Sequence, residues 1–180
     1  KASKKPAWVH ATAMRSEPTM FAGRDTISPE AGKLCARELY AKAGITNPRK
    51  EIDCAEVYVP FAWFEAMWLE NLGFSPEGEG WKAVHDGSTE LTGDIPWNMS
   101  GGVLSSNPIG ASGMLRFAEA AMQVRGQAGE HQVDGAARSL RDGASRCARN
   151  RRPLRGGTAR MVATRAPCAT GLGRPTCGSP

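Results

Sequence analysis

The stretch Ser100-Gly101-Gly102-Val103-Leu104-Ser105-Ser106-Asn107-Pro108-Ile109-Gly110-Ala111-Ser112-Gly113 decides how this chain is read. It reads as a glycine turn, a short strand near Gly102 to Leu104, a cap residue followed by proline, and a helix opening on small residues. The helix is expected to run from Pro108 to about Arg125. A helix N-terminus presents unpaired backbone N–H groups and the positive end of a dipole to whatever lies in front of it. Small residues in the first turn allow close approach, so the tip suits an anion or a developing oxyanion.

Upstream, Ala7 to Met14 reads as a strand, mostly apolar and bounded by Pro6 and Pro18. Ser28 and Pro29 read as the cap and first residue of a helix. Its apolar stripe is Ala31, Leu34, Cys35 and Leu39, and Gly44 ends it. Glu51 to Val59 reads as a second strand. Pro60 opens a second helix with Phe61, Phe64, Trp68 and Leu72 on one side, closed by Gly73, and a polar loop is expected from Ser75 to about Trp97. The helix after Pro108 is apolar around most of its circumference, with Arg116, Glu119 and Gln123 as exceptions. That pattern predicts burial on more than one side. Alternating strands and helices imply a layered α/β fold with parallel crossovers.

The 180 residues suffice for one ordinary domain. No apolar run reaches the roughly 18 residues that a membrane span needs. No signal-peptide pattern opens the chain, so a cytoplasmic location is expected. Its first residue is Lys1, which fits a fragment or a processed chain. The net charge of +5 hides an asymmetry, since residues 136–180 carry ten arginines, no lysine and one acid, Asp142. That gives +9 there and −4 over residues 1–135. Arginine without lysine, among small residues and three of the five cysteines, is what GC-rich DNA gives in a wrong frame. Residues 136–180 are therefore read as an arginine-rich low-complexity tail, disordered or out of frame, after a domain spanning 1–135. The tail lacks aromatic residues and a basic amphipathic period, which argues against a nucleic-acid arm. Cys168 and Cys177 have no histidine nearby and no zinc spacing.

The quoted stretch resembles the block near the C-terminus of thiolases, Gly-Gly-x-Leu-Ser-x-Gly-His-Pro-x-Gly-x-Ser/Thr-Gly. It is similar in particular to the sterol carrier protein-type branch. Here it is one residue short, and Asn107 stands where the family has histidine. Arg116 to Val133 extends the likeness. So do Glu56-Val57-Tyr58-Val59-Pro60-Phe61 and Leu72-Gly73-Phe74-Ser75-Pro76-Glu77-Gly78-Glu79-Gly80. The likeness covers roughly residues 7–135. It implies the second of two similar thiolase halves, a layered α/β unit with a mixed sheet and helices packed on it, cut short before its last strands. Such a truncated half would leave a sheet edge and a helix face uncovered.

The resemblance implies an acyltransferase of lipid or sterol metabolism, similar to acetyl-coenzyme A acetyltransferases. It acts on a coenzyme A thioester as substrate, with no bound cofactor, and is a homodimer when complete. The family's nucleophilic cysteine lies in the other half, and its activating histidine is replaced here by Asn107. Tyr58 takes the place of a second family histidine. Asn107 can donate a hydrogen bond to an oxyanion but cannot take a proton from a thiol at neutral pH. Tyr58 can donate or relay a proton. These replacements suit retro-aldol cleavage of a β-hydroxyacyl thioester. In that respect the chain looks like thiolase-like lyases of steroid side chains, which work with a small partner protein having an OB-fold and zinc ribbon. A non-catalytic protein binding acyl-coenzyme A or lipid is a further alternative.

The candidate catalytic residues are thus Tyr58 and Asn107, and the candidate substrate-binding residues are Gly102, Ser105, Gly110 and Ser112. Each has a plainer reading. Asn107 can be a helix cap, Tyr58 a core or interface residue, the glycines packing positions, and the serines partners of backbone. Cys35 and Cys54 fall on apolar positions and read as buried thiols. His10 and His85 lack neighbours at metal-ligand spacing, so no metal is expected. Trp63, Trp68 and Trp81 read as core or interface residues rather than a stacking platform.

Overall fold

The computed structural model describes residues 6–17, 25 and 27–136, and the backbone alone of 138–142 and 160–165. Four strands form one sheet: β1 (Trp8–Met14), β2 (Cys54–Glu56), β3 (Arg138–Asp142) and β4 (Arg160–Arg165). Their order is β1-β4-β3-β2, and every strand pairing among the described residues is parallel. Most of the arginine-rich tail lies outside the described residues. Its backbone at 138–142 and 160–165 supplies β3 and β4.

The first helix, α1 (Glu30–Ala43), packs against β1 and β4. Cys35, Ala36, Leu39 and Ala43 are buried, but Leu34, expected on the same stripe, is exposed. Pro29 has extended backbone and is itself the N-cap, so Ser28 is not the cap the sequence suggested. The Ser28 hydroxyl instead donates to Asn71 Oδ1 at 3.1 Å. Gly44 closes α1 at φ 64°, where glycine carries no steric penalty.

The expected strand from Glu51 shrinks to three residues. Glu51 ends a short helix, α2 (Pro48–Glu51), because its carboxylate accepts the Thr46 and Asn47 N–H groups at 2.7 Å. Those bonds turn the backbone before Ile52 and oppose extension. Helix α3 (Trp63–Asn71) starts three residues after Pro60, which leaves Phe61 exposed, while Trp68 and Leu72 are buried as expected. The supposed loop beyond it contains helix α4 (Gly80–His85). Gly80 is required there: a Cβ would lie 2.3 Å from the Ala66 carbonyl oxygen, so only glycine lets α4 rest on the α3 backbone.

Leu39, Ile52, Val57, Leu69, Leu72, Phe74 and Ile95 form the centre of the core. Removing each of the larger side chains from water is worth about 1.5–3 kcal/mol. The Phe74 and Trp97 rings meet edge-on with centroids 5.7 Å apart. This packing supports β2 from beneath and fixes where the chain leaves it at Val57. The site is built from that exit.

Candidate functional site

Two segments converge beyond β2. The Ala55 N–H donates to the Pro96 carbonyl at 2.8 Å, and Asn98 N–H donates to the Ala55 carbonyl at 2.5 Å. The Asn98 side chain then accepts the Val57 N–H at 2.6 Å. Asn98 holds φ 53°, a left-handed conformation that asparagine tolerates better than most residues. Gly101 and Gly102 follow at φ 84° and 61°. A Cβ on Gly102 would crowd the Asn98 side chain at 3.2 Å, so the turn needs glycine for both torsion and space.

The expected strand at Gly102 to Leu104 is instead a helical turn, α5 (Gly102–Ser105). Two consecutive left-handed glycines fold the backbone back on itself, and the Ser105 N–H reaches the Gly101 carbonyl at 3.2 Å. The main helix, α6, spans Ser112–Arg125 after a 3-10 turn at Ile109–Ala111. Its N-cap position is Ala111, so Asn107 does not cap it. The Asn107 side-chain oxygen accepts the Ser112 hydroxyl at 2.6 Å. Ile109 sits at φ 43°, a strained conformation for a β-branched residue.

Of the candidate residues, Asn107 and Ser112 are brought together and Gly102 shapes the turn. Gly102 and Ser112 are buried, whereas Ser105, Asn107 and Gly110 are exposed on the tip. Tyr58 is half-buried just beyond β2, and its carbonyl accepts the Trp68 indole N–H at 3.1 Å. It makes no hydrogen bond to the other candidates among the described residues. Cys35 and Cys54 are buried. Trp68 lies in the core, while Trp63 and Trp81 are exposed.

Helix α6 reverses the burial expected of it. Arg116, Glu119 and Gln123, the polar exceptions in the sequence, face β2 and the interior, with Gln123 fully buried. Met114 is 65 % exposed, and Leu115 and Met122 share its open side. Gln123 meets the hydrogen-bonding need of a buried polar group in full, while Arg116 is held by ion pairing at Glu56. Gln123 donates to Glu119 Oε1 at 3.1 Å and to the His131 carbonyl at 2.8 Å, and accepts the Val133 N–H at 2.9 Å. The His131 ring lies 3.0 Å from Glu119.

Glu56, which the sequence reading passed over, is the centre of this polar layer. It is buried at the end of β2. One carboxylate oxygen accepts the Ser100 N–H at 3.0 Å and the other the Ser100 hydroxyl at 2.7 Å. Arg116 Nε stands 3.3 Å from the latter oxygen. Burial nevertheless pushes the Glu56 carboxyl up to about 7, against the lowering pull of Ser100 and Arg116, and Glu119 adds to the rise. The available signal was that the expected strand from Glu51 to Val59 carries acids, Asp53 and Glu56, among its apolar residues. The arrangement offers a rigid polar base under an exposed tip that carries one amide and a helix N-terminus.

The thiolase C-terminal domain-like family model matches residues 13–151. An acetyl-CoA acetyltransferase of Methanothermobacter thermautotrophicus is 38 % identical over 133 residues, 73 % of this chain and 34 % of that protein. Human sterol carrier protein 2 is 39 % identical over 108 residues, 59 % of this chain and 19 % of that protein. A solved Ltp2-ChsH2(DUF35) aldolase superposes with a TM-score of 0.56 at 28 % identity, covering 63 % of this chain and 30 % of that one. The chain thus spans between about a fifth and about a third of the length of these relatives.

Proposed function

Because this chain belongs to the thiolase C-terminal domain-like family, we propose that it supplies the C-terminal part of an acyl-coenzyme A enzyme that works by retro-aldol cleavage. In that reaction the β-hydroxyl of a β-hydroxyacyl thioester loses its proton and the Cβ–O bond becomes a carbonyl. The Cα–Cβ bond breaks, its electron pair passes into the thioester enolate, and protonation at Cα releases a shorter acyl-coenzyme A. The Asn107 amide N–H groups donate to the enolate oxygen, aided by the α6 N-terminus. The Tyr58 phenol moves the hydroxyl proton.

The observation that carries this reading is the side chain at position 107. It is an exposed amide whose oxygen is already engaged by Ser112 at 2.6 Å, which leaves its N–H groups to donate. It has no basic site to activate a thiol. The aldolase among the structural relatives supports the same chemistry, and its DUF35 component supports a small partner protein for this enzyme as well. In this reading the missing N-terminal part covers the open Met114, Leu115 and Met122 side of α6. The acyltransferase relative at 38 % identity favours a second reading, thiolytic transfer with a cysteine from the N-terminal part.

Alkylation separates the two. Cys35 and Cys54 are buried and protected. Iodoacetamide treatment of the assembled enzyme is expected to leave cleavage intact. Complete inactivation that acyl-coenzyme A prevents would establish a catalytic thiol and overturn the retro-aldol reading.

A further inference from the structure

The exposed tip that carries Asn107 is a closed segment whose two ends meet at one side chain. Ser100 precedes it and Arg116 follows it, and both contact the Glu56 carboxylate, at 2.7–3.0 Å and 3.3 Å. The Ser100 hydroxyl also accepts the Gly102 N–H at 3.2 Å, which passes the restraint into the first turn of α5. Arg116 Nε and Nη1 are buried without a hydrogen-bond partner among the described residues, and Nε is held within ion-pair range of Glu56. Between these anchors lie Gly101, Gly102, Asn107 and Ile109, of which three have left-handed torsions. A segment with that much unfavourable or unrestricted backbone holds one shape only if its ends are fixed.

We propose that Glu56 is a positioning residue: by gripping Ser100 on one side and Arg116 on the other, it sets where the Asn107 amide stands against the thioester oxygen. The proposal rests on the reading of Asn107 given above. Glu56 does not touch substrate. It acts through the loop, as a carboxylate whose four lone-pair sites serve two chain segments at once. Glutamine keeps the shape but removes the charge that faces Arg116 and replaces one acceptor oxygen with an N–H2 donor.

The test uses the assembled enzyme at about pH 8, where the carboxyl is ionised. Glu56→Gln is expected to accelerate amide hydrogen exchange across residues 100–112 by roughly tenfold, the scale of one charge-assisted hydrogen bond, with α1 and α3 unchanged. It is also expected to lower kcat by roughly tenfold with KM for the acyl thioester nearly constant, because uniform binding is untouched. Ser100→Ala should repeat the pattern more weakly and carries the test if Glu56→Gln does not fold. Unchanged exchange across residues 100–112, or equal acceleration in α1 and α3, overturns the proposal. The exchange measurement does not depend on the reaction, so an enzyme found to be thiolytic would refute the proposed chemistry and leave the exchange result to judge Glu56.

Discussion

The Ser112 hydroxyl and the Asn107 amide oxygen lie 2.6 Å apart, one buried at the start of α6 and the other exposed on the tip. The bond fixes which end of the amide is available. Asn107→Ala removes the donor and is expected to reduce cleavage about 10²-fold, the usual scale for one oxyanion donor, with acyl-coenzyme A affinity little changed. Steady-state kinetics with a separate binding titration checks this. Ser112→Ala should have the same direction and a smaller size, since it frees the amide to rotate.

Tyr58→Phe keeps the ring and its carbonyl contact to Trp68 while removing the phenol. Cleavage is expected to fall by about 10²-fold or more, as for loss of a positioned acid or base, with unfolding temperature unchanged. Turnover equal to that of the parent enzyme would remove Tyr58 from the mechanism.

Glu56 also predicts a pH dependence of stability. Its carboxyl lies near 4.5 in an unfolded chain and at about 7 in the folded one, chiefly through burial. The folded state therefore retains a proton that the unfolded state releases. This stabilisation is complete below about pH 4.5 and disappears as pH rises through about 7. A difference of that size is worth on the order of 3 kcal/mol. Glu56→Gln should flatten the fall in unfolding temperature across that window, as calorimetry at a series of pH values would register. An undiminished slope in the variant would assign it to other groups.

Gly80→Ala tests how α4 is seated. The new Cβ would meet the Ala66 carbonyl oxygen at 2.3 Å, and backbone cannot yield as a side-chain tip does. The expected loss is about 1–3 kcal/mol of stability, read as a lower unfolding temperature. Gly113→Ala, with nothing within 4 Å of its Cβ, is the control and should cost little.

The legible part of the fold was the part governed by local backbone chemistry. Gly44 and Gly126 end α1 and α6 in left-handed conformations, as glycine after an apolar-periodic run predicts. The strand at Ala7 to Met14 and the apolar positions Ile52, Cys54 and Val57 of the expected strand Glu51 to Val59 were visible in the sequence, and all three are buried. The departures have three separate causes. Val103 and Leu104 make too short a run for periodicity to separate a strand from a turn, and Gly101 and Gly102 decided it through their torsions. Helix α4 was hidden by Gly78 and Gly80, which read as loop residues but allow close packing on α3. The face of α6 was misread because Arg116, Glu119 and Gln123 are buried by pairing with partners distant in sequence, which no local pattern reports. Within the site, Asn107 and the glycine turn were legible from the motif, and Glu56 was not, because its role depends on Ser100 and Arg116 arriving from elsewhere.

The most direct test is a product analysis of the assembled enzyme given a β-hydroxyacyl-coenzyme A, with no free coenzyme A present. Retro-aldol cleavage predicts a carbonyl compound and a shortened acyl-coenzyme A in equal amounts. No cleavage under those conditions, together with rapid splitting of a β-ketoacyl-coenzyme A once free coenzyme A is added, would contradict the account.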